Sequence, residues 1–283
     1  MVKIIDGKEL AQTTTDNLKF EIENLKKKGV IPALVVIVVG EDQASQIYVK
    51  NKHRVAESIG IKSIITKLPS STSESDLLAL ISEYNENPDV HGILVQLPLP
   101  KQINEKKITE SIRPEKDVDG FHPVNIGRLV MNDPLAIPCT PMGIMRMFTA
   151  YDIDVEGKNA VVVGRSNIVG KPMAALLLNA NATVTVTHSH TQNLSEITKQ
   201  ADILVVAIGQ ANFVKKADVK QGAVVIDVGM NRLDSGKLAG DVDKDVSDVA
   251  GYLTPVPKGV GPMTIAMLME QTIELTKRSV GIG

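Results

Sequence analysis

The stretch Ala33 to Val39 reads ALVVIVV, an unbroken apolar run of strand length in which most residues are β-branched. A strand with no polar face has to be covered on both sides, and the arrangement that does this is a parallel sheet flanked by helices. Further segments that read as strands recur along the chain. They are Ile61 to Leu68, Gly92 to Leu97 (GILVQL), Ala160 to Val163, Thr183 to Thr187, Ile203 to Ile208 and Ala223 to Val228. Helical patterns fill the intervals. Leu10, Leu18, Ile22 and Leu25 fall at helical spacing between Lys8 and Lys28, with Gly29 as a C-terminal cap. A second helix runs from about Ser45 to Ile59 and ends at Gly60, and a third opens on a Ser73/Asp76 capping box and stops before Asn87-Pro88. The alternation predicts an α/β protein with two α/β domains, the C-terminal one Rossmann-like with a parallel sheet.

With 283 residues, two domains of ordinary size are the better expectation. The rhythm breaks between Arg113 and Pro141, a stretch rich in Pro, Gly, Asn and Asp that reads as cleft wall and inter-domain connection. Thr140 and Pro141 form an N-cap and first-turn pair for a helix reaching about Tyr151, and the second α/β unit starts there. The last helix, Pro262 to about Ser279, is expected to pack back on the first domain. The expected domains are therefore residues 1–138 plus 260–283, and residues 139–259.

Composition narrows the partners. A formal charge of −2, no Trp and 3% aromatics argue against a nucleic-acid binder, which needs a basic surface and stacking platforms. Cys139 is the only cysteine, which rules out an intramolecular disulfide and a cysteine-built zinc site and points to a reducing compartment. No metal is expected. The opening MVKIIDGKEL has no signal-peptide core and no apolar run approaches a membrane span, so the expectation is a cytoplasmic protein without a membrane partner.

The loop GRSNIVGKP follows the strand ending at Gly164 and leads into a helix, Met173 to Asn179. Strand, glycine loop and helix N-terminus together bind a pyrophosphate through backbone N–H groups. The Gly164 to Gly170 spacing departs from the usual GxGxxG, so a plain strand-to-helix turn remains the alternative on spacing alone. The next strand ends Thr187, His188, Ser189, His190, where an NAD site usually carries an acid for the ribose hydroxyl. Hydroxyl and imidazole donors with Arg165 suit a 2′-phosphate, which favours NADP. Two solvated loop histidines are the plainer reading of His188 and His190.

On the second helix, Tyr48, Lys52, Val55 and Ile59 share one narrow sector, which sets Lys52 on the apolar stripe. Such a lysine either snorkels to water or keeps its amine in a partly dry cleft, where its pKa falls.

At these residues the chain resembles the bifunctional methylenetetrahydrofolate dehydrogenase and methenyltetrahydrofolate cyclohydrolase family. VGEDQASQIYVKNK, HGILVQLPLP, PEKDVDGFHPVNIGRL, PCTPMG, GRSNIVGKP, DVGMNRLDSGKLAGDVD and TPVPKGVGPMT occur in the family's order and span nearly the whole chain. The resemblance implies NADP-dependent oxidation of 5,10-methylenetetrahydrofolate, then hydrolysis of the methenyl product to 10-formyltetrahydrofolate. It implies a folate-binding first domain, an NADP-binding second domain, a homodimer, and a place in the one-carbon metabolism that feeds purine and amino-acid biosynthesis. It points to Tyr48 and Lys52 in the folate site, Gln96 bonded to the lysine, Asp119 on the pterin ring, and Leu97, Pro98, Pro262 and Met263 as further folate contacts. For the cofactor it implies Thr140, Gly164, Arg165, Ser166, Ile168, Ser189, Ile208 and Gly209. Two departures stand out: the family usually has PGGVGPMT where this chain has Lys258, and HSKT or HSRT where it has HSHT.

Hydride loss from the methylene carbon leaves a cation that two folate nitrogens stabilise, so that step needs alignment more than a base. Hydrolysis needs a proton acceptor for the attacking water, and a desolvated Lys52 fits that task. The bland reading of Asp119 is a turn residue in an Asp-Gly pair. Competing readings of the whole chain are a two-domain NADP oxidoreductase for an amino acid or shikimate-like acid, and a non-catalytic NADP sensor.

Overall fold

The structure, a computed structural model, describes residues 1–282. They form two compact units, one of residues 13–139 with 265–282, the other of residues 1–12 with 140–264. The first half of the chain contains β1 (Lys3–Ile4), α1 (Gly7–Lys27), β2 (Ala33–Val39), α2 (Gln43–Ile59), β3 (Lys62–Leu68), α3 (Glu74–Glu86), β4 (Gly92–Val95), α4 (Glu105–Ser111) and α5 (Pro123–Val130). β2 is the middle strand of a parallel sheet ordered β3-β2-β4, and every one of its residues is buried. The apolar run thus occupies the one position in a three-stranded sheet that has neighbours on both edges.

Local chemistry sets the helix ends of this unit. The Asp42 carboxylate accepts the Ser45 N–H at 2.7 Å and starts α2 two residues earlier than the apolar pattern suggests, and Gly60 closes it at φ 96°. Ser73 caps α3 by accepting the Asp76 N–H at 3.1 Å. The returning half of the expected capping box is different: the Asp76 carboxylate accepts from the Ser73 hydroxyl at 2.6 Å rather than from its backbone. The stretch 113–141, expected to be irregular, contains α5. Pro123 opens that helix and the His122 imidazole accepts the Val124 N–H at 3.1 Å, a cap that apolar periodicity does not reveal.

The second half contains α6 (Cys139–Ala150), β5 (Asn159–Val163), α7 (Gly170–Asn179), β6 (Thr183–Thr187), α8 (Leu194–Thr198), β7 (Ile203–Val206), β8 (Val224–Asp227), β9 (Asn231–Arg232), β10 (Leu238–Ala239), β11 (Tyr252–Leu253) and α9 (Val260–Ser279). Thr140 is not the N-cap expected of it. It lies in the first turn of α6, with its hydroxyl 2.9 Å from that of Thr264. Six parallel strands make one sheet ordered β1-β11-β8-β7-β5-β6, and Val161, Leu204, Val206 and Val225 form the centre of its core. β1 pairs with β11, so residues 1–12 count with the second-half unit although the sequence pattern joins them to residues 13–138. Strands β6 and β7 leave β5 on opposite sides, which makes the carboxyl end of β5 the switch point where an open α/β sheet takes its ligand. The C-terminal part of α9 counts with residues 13–139, and Lys277 bonds Glu21 there at 2.6 Å.

Candidate active site

Four of the residues singled out on the sequence meet in the first-half unit. α2 carries Tyr48 and Lys52 one helical turn apart, and Gln96 follows the carboxyl end of β4. Lys52 does not snorkel. Only 5% of it is exposed, its amine donates to Gln96 Oε1 at 3.1 Å, and it sits 4.7 Å from the centre of the Tyr48 ring. Gln96 Nε2 donates to the Leu97 carbonyl at 2.8 Å, and this turns the acceptor end of the amide toward the lysine. Burial lowers the pKa of Lys52, while the charge of Asp119 and, less so, Cys139 oppose it. The group is a dry amine held in a fixed direction. Leu97 is half-buried beside it, and Pro98 is exposed across a cis peptide bond.

Asp119 is held by residues that sequence reasoning missed. Asp117, two residues earlier and 1% exposed, accepts the Gly120 N–H at 3.1 Å on one oxygen. Its other oxygen accepts the His122 N–H at 2.7 Å and the Asn125 side-chain N–H at 2.9 Å. Gly120 has φ 69°, and a Cβ there would lie 2.5 Å from the Ile137 carbonyl carbon, so this turn requires glycine. From α9, Gln271 accepts the Ile137 N–H at 2.7 Å and donates to the Val118 and Ile137 carbonyls at 2.6 and 3.0 Å. Burial pushes the Asp119 carboxyl up to about 6, with Lys52 opposing and Asp117 adding to the rise. Burial also raises Asp117, against the hydrogen bonds from His122 and Asn125.

In the second-half unit the glycine loop joins β5 to α7, which begins at Gly170 rather than Met173. A Cβ on Gly164, at φ 120°, would lie 2.3 Å from the Ala207 carbonyl oxygen, and one on Gly170 would lie 2.2 Å from the Gly164 carbonyl oxygen. Ser166 Oγ accepts the Val169 and Gly170 N–H groups at 3.2 and 3.3 Å and shapes the entrance to α7. Arg165, Ser166, Ile168 and Ser189 are exposed at the carboxyl ends of β5 and β6, and the strand expected to run to Ile208 ends at Val206, leaving Ile208 and Gly209 in a turn. His188 Nδ1 accepts the His190 N–H at 3.2 Å, so the two histidines belong to one turn. This close-packed glycine cradle at the switch point, with no carboxylate where β6 ends, fits a dinucleotide carrying a 2′-phosphate. Thr140, Pro262 and Met263 count with this unit, and Met263 is fully buried beside Gly143, so its side chain offers no surface to a ligand.

A dinucleotide-binding fold in one unit and a buried lysine near a carboxyl raised by burial in the other fit a nicotinamide-linked dehydrogenase with a second polar site. Residues 5–119 match the model of the tetrahydrofolate dehydrogenase/cyclohydrolase catalytic domain, and residues 138–280 match that of the same family's NAD(P)-binding domain. The bifunctional protein FolD of Ligilactobacillus salivarius is 60% identical over 278 residues, 98% of each chain. Among solved structures, the bifunctional FolD of Campylobacter jejuni has a TM-score of 0.97 at 51% identity, covering 98% of this chain and 99% of its own. The dehydrogenase-cyclohydrolase of Trypanosoma brucei, complexed with NADP cofactor and inhibitor, has a TM-score of 0.94 at 38% identity, covering 99% and 98%. The chain belongs to the tetrahydrofolate dehydrogenase/cyclohydrolase family, and it is a bifunctional enzyme. Among the described residues, no helix is long and apolar enough to cross a membrane.

Proposed function

We propose that the enzyme divides its two reactions, NADP-dependent oxidation of 5,10-methylenetetrahydrofolate and hydrolysis of the methenyl product to 10-formyltetrahydrofolate, between alignment and proton transfer, with Lys52 serving the second. NADP, when bound, accepts the hydride. Gly164, Arg165, Ser166, Ile168, Ser189 and Thr140 would hold it, with Ile208 and Gly209 near the nicotinamide side, and no residue needs to act as a base in that step. In the hydrolysis, water adds to the methenyl carbon and gives its proton to the Lys52 amine. That proton is returned to the ring nitrogen as its bond to carbon breaks, while the remaining hydroxyl proton of the adduct passes to solvent as the formyl C=O forms, so Lys52 ends as it began. Gln96 and Tyr48 fix the amine's direction, and Asp119 accepts N–H groups of the pterin in a charge-assisted bond. Leu97 and Pro98, which follow Gln96, add further folate contacts. The observation that carries this reading is the almost complete burial of Lys52, which favours the neutral form that a proton acceptor needs.

The family's usual homodimer, a cytoplasmic setting and a role in purine and amino-acid biosynthesis belong to the same proposal. The folate chemistry supports the last, and the lone buried cysteine supports a reducing compartment. The test is Lys52→Met, which keeps length and apolar contact while deleting the amine. Hydrolysis of methenyltetrahydrofolate is expected to fall by about two to four orders of magnitude and hydride transfer by less. A folded mutant that hydrolyses at the wild-type rate rejects the assignment.

A further inference from the structure

The DVGMNRLDSGKLAGDVD segment contains two buried aspartates that no step above uses. Asp241 is 0% exposed, and its carboxylate accepts four N–H groups. Ile208 and Gly209 donate to one oxygen at 2.7 and 3.0 Å, and Gln210 and the Asn231 side chain to the other at 2.8 and 2.9 Å. Asp227, at the carboxyl end of β8, holds the Asp241 backbone in turn. It accepts the Gly229 and Asp241 N–H groups on one oxygen, each at 2.9 Å, and the Val242 N–H on the other at 3.0 Å.

We infer that Asp241 is a positioning residue for hydride transfer: its carboxylate fixes the Ile208–Gln210 turn as one lip of the switch-point crevice, and Asp227 fixes Asp241. Three consecutive backbone N–H groups of a turn converge on this carboxylate, and four donors use up its lone pairs, so it neither contacts the cofactor nor takes a proton from substrate. The turn follows β7 and faces the glycine loop that follows β5. A Cβ on Gly164 would lie 2.3 Å from the Ala207 oxygen and 3.5 Å from Ile208 Cγ2, so the two lips fit against each other. Gly209 itself, at φ 66°, has nothing within 4 Å of where its Cβ would be, which leaves this side of the lip open for a ligand. Two other glycines make room for the clamp. A Cβ on Gly229 would lie 2.3 Å from Asp241 Oδ1, and one on Gly240 would lie 1.7 Å from Asp227 Oδ2. Because every partner of Asp241 is a donor, an amide in its place would turn its own N–H groups toward two of them.

The inference rests on the dehydrogenase activity, so the wild type is assayed in parallel, and absence of that activity there would overturn the functional reading itself. In Asp241→Asn the dehydrogenase kcat/KM for NADP is expected to fall about 10- to 100-fold, as for the loss of charge-assisted hydrogen bonds. Hydrolysis of supplied methenyltetrahydrofolate, assayed without cofactor, is expected to stay within about twofold, because Lys52, Gln96 and Asp119 are held by other residues. A larger primary isotope effect with deuterated methylene substrate should accompany the loss, since misalignment slows the hydride step itself. Asn231→Ala removes one donor and leaves the buried charge with three, and it should lower the dehydrogenase rate several-fold in the same selective way. Equal losses in both activities, an unchanged isotope effect, or an undiminished dehydrogenase in Asn231→Ala overturns the inference.

Discussion

A buried amine works as a base only over the range in which it is neutral, and at Lys52 burial and the nearby carboxylate of Asp119 pull in opposite directions. Burial is the larger effect, so the amine loses its proton below the ordinary lysine range. The hydrolysis rate is therefore expected to rise with pH through that lowered pKa and to level off above it, a limb that Lys52→Met should lack. Asp119 acts from the acid side. Its carboxyl, raised to about 6, is protonated below that pH and no longer a charged acceptor, so kcat/KM for folate should fall as pH drops through about 6 in both reactions. Asp119→Asn should weaken folate use in both, remove that fall and spare cofactor binding; normal folate kinetics would make Asp119 a turn residue only. For the cofactor, Arg165→Ala should cost about 1.5–3 kcal/mol of NADP binding and leave NAD nearly unchanged, and equal losses with both would reject the 2′-phosphate contact. Helical spacing made the place of Lys52 on an apolar stripe legible, but not the burial that excludes snorkelling. Asp241 and Gln271 escaped sequence reasoning because each serves groups brought near only by folding, and Asp117 escaped because its local bonds to Gly120 and His122 leave no distinctive spacing.

At the scale of elements, Lys52 sits midway along α2, while Gln96 and the glycine loop follow strand ends and Asp119 lies in a turn that other elements keep in place. α9 reaches the 118–137 region through Gln271, which donates to two carbonyls and accepts one N–H, the Val118 carbonyl also accepting from the Cys139 thiol at 3.2 Å. Gln271→Leu has about the right bulk but no polar atoms. It should lower unfolding stability by about 1–3 kcal/mol for each stranded group, read by urea denaturation, and raise the KM for folate by loosening the turn that carries Asp119. A stability loss with folate KM unchanged would separate Gln271 from the site. The longer elements were readable because periodicity builds up over many residues, as in β2, α2 and α9. The two-residue strands β1, β9, β10 and β11 were not, since two positions cannot show an alternation. The helix α5 escaped because its start depends on a proline and a histidine cap rather than on apolar spacing.

For the whole molecule, neither unit is built from one continuous stretch of sequence: each takes an early and a late part of the chain. Removing α9 by ending the chain at Gly259 should therefore expose the first-half unit, which loses Ile273, Leu275 and the Gln271 bonds. Thermolysin should digest the shortened chain far faster than the whole one, and equal resistance would mean that residues 13–139 stand alone. The pairing of β1 with β11 sets a similar condition on the other unit, because Lys3 and Tyr252 lie 249 positions apart. During synthesis at about 5–20 residues per second, the first strand waits on the order of 10–50 s for its partner to leave the ribosome. Until then the edge of β8 that β11 will cover is open to any strand that arrives first, including one from a neighbouring nascent chain. Newly made molecules are thus most exposed to mispairing in the interval when β8 has emerged and the strand that belongs beside it has not.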